Sequence, residues 1–289
     1  MTRTRMHELM ARVAPRPPQP PEKSTSRAGR NLKRAVPTAL ILLVVVAASV
    51  LFRVEFFVLL VVVALSIGIW EAAGAFLNRS VRIPVIPLVV ATWAMIAATW
   101  FYSLAAAFVV FLVCAAIVFM WRVADGEHRS PADALAAVFV LGWISVLGCF
   151  AAAMVTLPQP VLMVALLILM PVANDTGGWA AGVLWGKHPM SPSISPKKTW
   201  EGLAGSVALA LAVSVVLVMV LADRPWYVAL IVALVSVGSS TVGDLSESLL
   251  KRDLGVKDMG SIFPGHGGML DRIDSIVMWA PFCYVMIAG

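Results

Sequence analysis

Long uncharged runs restrict the fold of this chain more than any other feature of its sequence. The stretches 39–51, 56–70 and 205–222 contain no Asp, Glu, Lys or Arg. With their flanks, they approach the roughly 20 residues that a helix needs to cross the hydrocarbon core of a bilayer. Charged residues make up only 13% of the 289 positions, whereas a typical soluble domain has about 25%. The sequence therefore predicts an all-α, polytopic helical membrane protein.

The apolar runs and the basic residues predict the number of spans and their orientation. Nine of the 22 Lys and Arg residues lie in the first 34 positions, and most of the others lie in short connections. Because basic residues accumulate on the cytoplasmic side of membrane proteins, we place the N-terminus inside and expect an integral protein of the plasma (inner) membrane. The nine predicted spans lie near 36–52, 55–71, 83–101, 103–122, 133–156, 160–186, 201–221, 226–243 and 270–288. This topology puts the connections 72–82, 123–132, 187–200 and 244–269 in the cytoplasm.

Composition divides the chain into three regions. Residues 1–34 are basic and rich in Pro, so they cannot bury enough apolar surface to fold and are predicted to form a disordered cytoplasmic tail. Residues 35–160 form the N-terminal transmembrane helices, and residues 161–289 form a catalytic transmembrane region with most of the polar residues. In the sixth span, Pro171 is followed by the polar run 174–178. Broken helices at membrane depth occur where they line cavities or are buried in protein, so we predict one broken helix there.

The densest polar segment, 239–275, carries the residue types that bind phosphates and metal ions. On a continuing helix, Asp244, Glu247, Ser248 and Lys251 share one face, because residues three and four positions apart lie above one another. Leucines occupy the other side of this helix. The pattern predicts an amphipathic helix that leaves the membrane at the interface, with acids followed by bases along its polar stripe.

A glycine-rich stretch, 263–268, leads from this segment into the last span. Pro and Gly residues before a helix N-terminus expose backbone N–H groups that can cradle a phosphate. Inside the span, Asp271 and Asp274 are i, i+3 neighbours, and two carboxylates at this depth are costly unless a cation neutralises them. Mg²⁺ prefers such oxygen ligands and commonly bridges to substrate phosphates. The segment therefore predicts a site for a divalent cation and a phosphate-bearing substrate at the cytoplasmic interface.

Several parts of this region together resemble one known family. The runs Ser-Leu-Leu-Lys-Arg-Asp at 248–253, Lys-Asp at 257–258 and Pro-Gly-His-Gly-Gly-Met-Leu-Asp-Arg-Ile-Asp at 264–274 resemble the signature of the CDP-diacylglycerol synthases, or phosphatidate cytidylyltransferases. Asn174-Asp175 and the run 195–202 resemble upstream elements of the same family. The resemblance spans roughly 170–275, and residues before about 160 match only as generic spans.

The resemblance implies a largely helical membrane enzyme that forms a homodimer. In the implied reaction, a phosphate oxygen of phosphatidic acid attacks the α-phosphorus of CTP, and pyrophosphate leaves. The implied partners are CTP, phosphatidic acid and membrane lipids. The implied cofactor is Mg²⁺, and a second, monovalent cation such as K⁺ is compatible with the same motif. The implied catalytic residues are Asp244, Lys251, Asp271 and Lys197. The implied metal ligands are Asn174, Asp175, Asp244, Asp271 and Asp274. The implied substrate-binding residues are Lys198, Thr199, Ser248, Arg252, Lys257, Asp258, Gly265, His266, Gly267, Gly268 and Arg272.

Other interpretations of the same residues remain open. Asp175, Asp244 and Asp271 can be structural ion-pair partners in a helix bundle, and Lys197 and Lys198 can be topological anchors. A CTP-dependent enzyme that acts on another lipid phosphate or on a lipid alcohol would share the motif. A membrane transporter is less favoured, because its carboxylates would follow a pathway instead of clustering at one interface. The formal charge of +6 follows from the topology, so no nucleic-acid partner is expected.

Overall fold

The computed structural model describes residues 14–18, 32–124, 130–260, 262 and 267–288, with the side chains of the first helix described from Pro37 onward. Most of the predicted tail, 1–34, lies outside these ranges. Nine helices occur in the described residues: Leu32–Phe52 (α1), Val54–Phe76 (α2), Val85–Phe101 (α3), Leu104–Ala124 (α4), Pro131–Met154 (α5), Pro160–Trp185 (α6), Trp200–Leu221 (α7), Trp226–Asp253 (α8) and Leu270–Ala288 (α9). The turn Leu77–Arg79 extends α2 as a 3₁₀ helix, and α5 and α7 contain π-helical segments at Leu141–Val146 and Val215–Leu221.

The lengths of these helices support the predicted membrane architecture. In the described part of the chain, six helices are long and apolar enough to cross a membrane: α2 with its 3₁₀ turn, α4, α5, α6, α7 and α8. Two shorter apolar helices, Pro37–Phe52 and Val85–Phe101, lie in α1 and α3. α9 has 19 residues and carries acidic and basic side chains near its start. The predicted all-α polytopic fold is confirmed.

The predicted break in the sixth span is wrong, because α6 continues as a helix through Pro171 and the polar run after it. The glycines of this run allow α7 to approach closely: a Cβ on Gly177 would lie 2.4 Å from the carbonyl oxygen of Gly205. Ser206 Oγ on α7 donates a hydrogen bond to the carbonyl oxygen of Asn174 (2.7 Å). Small residues let two membrane helices pack closely, so the run joins α6 to α7 and does not end the helix.

A small hairpin between α6 and α7 is the one sheet among the described residues. Its strands, Pro189–Ser191 (β1) and Ser195–Thr199 (β2), pair antiparallel. This segment was predicted only as a connection. β2 carries Lys197 and Lys198, and Arg252 Nε of α8 donates to a carbonyl oxygen in the hairpin turn (3.4 Å). The hairpin therefore holds two of the predicted site lysines beside the end of α8.

Buried apolar side chains form two clusters. The first fills the interior of α2 to α5 and includes Leu254 and Met259, which lie between α8 and α9, and Leu270, the first residue of α9. The second packs α6 to α9 against parts of α1, α2 and α5. Because the segment between α8 and α9 buries its apolar side chains in the first cluster, the N-terminal helices directly support the region that carries the signature.

Polar contacts bring four connections together at one end of the helices. Arg79 of the 3₁₀ turn donates to the carbonyl oxygen of Asp253 at the end of α8. Asp133, at the start of α5, accepts a hydrogen bond from Arg82 N (3.0 Å) and pairs with Arg122 of α4. The hairpin lies at the same end, because Arg252 at the end of α8 donates a hydrogen bond to its turn. These are the four connections that the charge distribution predicts to lie on one side of the membrane.

Candidate active site

Three charged side chains join α8 to α9 in a partly buried ion-pair triad. Lys251 Nζ on α8 lies 2.7 Å from Glu247 Oε2, one turn earlier, and 2.8 Å from Asp271 Oδ1 in the first turn of α9. The Glu247 side chain is fully buried, and the side chains of Lys251 and Asp271 are 13% and 4% exposed. Glu247 and Lys251 point the same way because i and i+4 share a helix face. The structure thus joins Lys251 and Asp271, two of the predicted catalytic residues.

Asp271 also organises the loop before α9. Its carboxylate accepts hydrogen bonds from Met259 N (3.0 Å) and Gly268 N (2.8 Å). Gly267 has a φ of 79°, a left-handed conformation that glycine adopts without steric cost. A Cβ at Gly267 would also lie 2.8 Å from Asp271 Oδ2. The predicted substrate-binding glycines Gly267 and Gly268 therefore lie directly against the Asp271 carboxylate.

A second group of charges lies beside the triad. Lys198 Nζ on β2 is 2.6 Å from Asp244 Oδ2 on α8, and Ser248 Oγ donates to Asp244 Oδ1 at 3.3 Å. Asp175 of α6 and Asp274 of α9 both interact electrostatically with Asp244 and with each other. Three helices and the hairpin thus contribute charged side chains to this group.

The two groups form one charged site, since the carboxyl groups of Glu247 and Asp274 adjoin each other. Arg272 of α9 interacts electrostatically with Asp175 and is the third basic side chain of this site. Five carboxylates and three basic groups give the site a formal charge of −2. Its acids are Asp175, Asp244, Glu247, Asp271 and Asp274, and its bases are Lys198, Lys251 and Arg272. An excess of two negative charges in a partly buried site is costly unless a cation or bound protons balance it.

The donor chemistry of this site fits a divalent cation. Asn174 Oδ1 is buried and has no hydrogen-bond partner within the described ranges, and Asn174 Nδ2 lies 3.5 Å from Asp175 Oδ1. Carboxylate and amide oxygens are the ligands that hard cations prefer. However, no three His, Cys, Asp or Glu side chains of the described residues are arranged to hold a metal ion. Asp244 and Asp271 are each engaged by a lysine, so the role of the five predicted ligands in binding Mg²⁺ stays a prediction.

Two predicted substrate-binding residues have structural contacts of their own. Thr199 Oγ1 accepts a hydrogen bond from Gly202 N (3.1 Å) and caps the N-terminus of α7. Such a cap satisfies one of the free N–H groups at a helix start. Arg252 is exposed and holds the hairpin turn. Both contacts position the hairpin, and a further contact of either side chain with substrate stays a prediction.

The remaining predicted residues differ in their exposure. Lys197 and Lys257 are exposed and form no ion pair with any residue that the structure describes. Asp258 lies beside the loop glycine with the positive φ, where a Cβ would be 3.4 Å from Asp258 Oδ1. Gly265 and His266 lie outside the described residues, and their contact with phosphate stays a prediction.

Comparison with known proteins decides the family. A model of the cytidylyltransferase family matches residues 33–288. The chain belongs to this family. Relatives named phosphatidate cytidylyltransferase from Mycobacterium bovis and Mycobacterium tuberculosis are each 34% identical over 282 residues. These matches cover 93% of this chain, 92% of the first relative and 86% of the second. A Bacillus subtilis protein of the same name is 41% identical over 117 residues, which is 40% of this chain and 44% of that protein.

Two buried acids of this cytidylyltransferase were not predicted as site residues. Glu247 shares the predicted polar face with Lys251, so its spacing was a usable signal. Glu71 of α2 is 2% exposed, and its Oε2 accepts a hydrogen bond from Leu270 N (2.9 Å) at the start of α9. The two residues lie 199 positions apart in the sequence. In the sequence, Glu71 stands out only as a single acid at the end of an apolar run. Its partner, Leu270, lies in a distant segment, so local spacing could not indicate the contact.

Proposed function

We propose that this cytidylyltransferase makes CDP-diacylglycerol and pyrophosphate from CTP and phosphatidic acid on the cytoplasmic face of the plasma membrane. The observation that carries the proposal is the meeting of Lys198, Lys251 and Arg272 with five carboxylates at one end of the helices. Family membership over residues 33–288 supports the same reaction. A site at the end of membrane helices lies where a soluble nucleotide can meet a lipid headgroup.

The reaction needs positioning and charge neutralisation more than covalent chemistry from the protein. A phosphate oxygen of phosphatidic acid forms a bond to the α-phosphorus of CTP, and the bond from that phosphorus to the bridging oxygen of the β-phosphate breaks. Pyrophosphate takes the bonding electrons as it leaves. The attacking phosphate needs no protein base, because its second pKa is about 6, as for other phosphate monoesters. The protein's task is therefore to hold two phosphate-bearing substrates in line.

We propose that basic side chains from two elements hold these phosphates. Lys197 and Lys198 project from β2, and Lys251 and Arg252 lie in the last turn of α8. Lysine and arginine form charge-assisted hydrogen bonds to phosphate oxygens. Lys198 and Lys251 pair with Asp244 and Asp271 in this structure. We expect substrate phosphates to replace these carboxylates as lysine partners, which frees Asp244 and Asp271 to bind a cation.

Mg²⁺, when bound, would neutralise and orient the triphosphate of CTP. Asp244, Asp271 and Asp274 would hold it, with Asp175 and Asn174 on the α6 side. The formal charge of −2 and the free oxygen of Asn174 support this assignment. The amide oxygen of Asn174 is a neutral donor, so it also suits a second, monovalent cation such as K⁺.

The membrane location and the oligomeric state complete the proposal. The four basic connections lie at one end of the helices, and the positive-inside rule assigns that end to the cytoplasm. The largely exposed apolar surface of α4 is available to lipid or to a second subunit. We propose a homodimer on the basis of the family resemblance.

Incubation of the purified protein in lipid vesicles with labelled CTP and phosphatidic acid tests the function. We expect a labelled CDP-lipid and equimolar pyrophosphate, both dependent on Mg²⁺. Parallel vesicles should contain an isoprenoid-ether lipid phosphate or diacylglycerol in place of phosphatidic acid. A product formed only with the lipid alcohol, or no CDP-lipid with any divalent cation, would contradict the proposal. Vesicles that lack the protein serve as the negative control.

A further inference from the structure

Glu71 of α2 reaches across the fold to the start of α9. Its side chain is buried, and its Oε2 accepts the hydrogen bond of Leu270 N (2.9 Å). The first N–H groups of a helix have no partner within the helix, and a negative charge is favourable at that end. Glu71 therefore caps α9 one residue before Asp271, from a helix that was predicted only as a generic span.

The glycines beside the Glu71 carboxylate leave room for it. A Cβ on Gly260 would lie 2.1 Å from Glu71 Oε1, and a Cβ on Gly268 would lie 2.4 Å from Oε2. Any larger residue at either position would collide with the carboxylate. Gly268 N also donates to Asp271. The position of Glu71 is thus coupled through Gly268 to the carboxylate that holds Lys251.

The other end of the same segment is held from the same helix. Arg79, in the 3₁₀ turn that extends α2, donates hydrogen bonds from Nε (2.6 Å) and from Nη2 to the carbonyl oxygen of Asp253. Asp253 is the last residue of α8, where carbonyl groups lack partners and positive charge is favourable. Glu71 and Arg79 therefore satisfy two helix ends of opposite polarity, one on each side of the segment 254–269.

Apolar contacts reinforce the same attachment. Leu254, Met259 and Leu270 are at most 3% exposed and pack in the cluster that contains Ile69 and Ala72 of α2. Met259 N donates to Asp271, so the packed residue is bonded directly to the site carboxylate. The end of α2 is thus joined to the segment 254–269 and its two flanking helix ends by two polar contacts and a shared hydrophobic core.

We propose that Glu71 and Arg79 are positioning residues that fix the separation between the ends of α8 and α9, and thereby place Lys251 and Asp271 for the reaction. Neither residue needs to touch substrate. The inference rests on the proposed function, because it assigns these two residues to the geometry of that site. It gives the end of α2 a defined role in catalysis that its apolar sequence does not indicate.

Steady-state kinetics of the full-length protein in lipid vesicles tests the proposal. We expect Glu71→Ala and Arg79→Ala each to lower kcat by about 10- to 100-fold, the loss that small misplacements of reacting groups cause. The half-saturating Mg²⁺ concentration should rise in both. Glu71→Gln retains the acceptor for Leu270 N and should recover most of kcat, whereas Arg79→Lys retains a single donor and should recover less. Ser66→Ala on α2 and Arg224→Ala at the opposite end of the helices are matched controls.

A second readout separates positioning from general stability. Hydrogen exchange at the amides of Met259, Gly268 and Leu270 should accelerate in Glu71→Ala, with α4 and α7 unchanged. Unchanged kcat and Mg²⁺ dependence in well-folded Glu71→Ala and Arg79→Ala would overturn the inference. Loss of activity solely in proportion to loss of folded protein, with wild-type kinetics in the remainder, would also overturn it. If wild-type protein forms no CDP-lipid, the proposed function fails first, independently of these variants.

Discussion

Lys251 of α8 and Asp271 of α9 lie 20 positions apart in the sequence, yet Lys251 Nζ and Asp271 Oδ1 are 2.8 Å apart. The same lysine pairs with the buried Glu247. The contact ties together the two helices that carry the signature. It means that Lys251 has a structural role in addition to the predicted contact with phosphate.

Lys251→Ala should therefore reduce both stability and activity. Removing one partner of a buried ion pair costs about 3–5 kcal/mol, because the remaining charge is left unpaired, and the slight exposure of Lys251 places the expected loss below this range. Adding Glu247→Gln removes one of the two unpaired carboxylates and should restore part of the thermal stability without restoring turnover. Thermal unfolding in detergent and CDP-lipid formation measure the two effects. Recovery of activity in the double variant would show that Lys251 does not contact substrate.

Lys197 provides the cleaner test of phosphate binding. It is exposed and pairs with no described residue, so Lys197→Ala should leave thermal stability unchanged. If Lys197 binds a substrate phosphate, the variant should lower kcat/KM by about 10-fold or more, since a charge-assisted hydrogen bond is worth about 1.5–3 kcal/mol. Lys257 is also exposed and predicted to bind substrate, so Lys257→Ala applies the same test at a second position. Kinetics equal to wild type would show that Lys197 only anchors the topology.

Asp244→Asn and Asp271→Asn test the metal site. Asn keeps the shape of the side chain but lacks the charge that holds a hard cation, so turnover should fall by about 100-fold or more at every Mg²⁺ concentration. Asp175→Asn should be milder, because Asp175 lies on α6, outside the Lys251 triad, where a supporting or monovalent-ion role suits it. Turnover across a Mg²⁺ titration is the measurement. Near-wild-type turnover and unchanged Mg²⁺ dependence in the first two variants would place the metal elsewhere.

The close approach of α6 and α7 predicts a stability effect at Gly205. A Cβ there would lie 2.3 Å from Ala181 Cβ, so Gly205→Ala should force the helices apart and cost about 1–3 kcal/mol. Gly238→Ala on α8 is the matched control, since a Cβ there meets nothing within 4 Å. The control should be neutral or stabilising by up to about 1 kcal/mol, because Ala favours helix. Equal melting temperatures of the two variants would contradict the packing argument.

Cysteine labelling tests the orientation in the membrane. Lys257→Cys should react with an impermeant maleimide only after the cells are opened, and Arg224→Cys should react in intact cells. The native cysteines interfere little, since Cys149 and Cys283 are buried and Cys114 is half-buried. Labelling of Lys257→Cys from outside intact cells would reverse the assigned topology.

Local sequence information predicted most of the helices and the polar face of α8. The hydrophobic runs specify helices because a backbone in lipid must satisfy its own hydrogen bonds. Local information failed at Pro171 and the residues after it, where small polar residues indicated a break. In the structure, Ser206 and the glycines of α7 make a continuous helix favourable. The deciding partners lie on another helix, so the local pattern could not identify them.

The sequence by itself determined the membrane class, the approximate spans, the basic connections and the signature residues, because each depends on composition or on short-range spacing. Only the tertiary structure decided which charges meet. It paired Lys198 with Asp244, placed Glu247 and Asp271 on Lys251, and brought Glu71 to the start of α9. These contacts join segments up to 199 positions apart. Their geometry follows from helix packing and burial, which no local pattern contains.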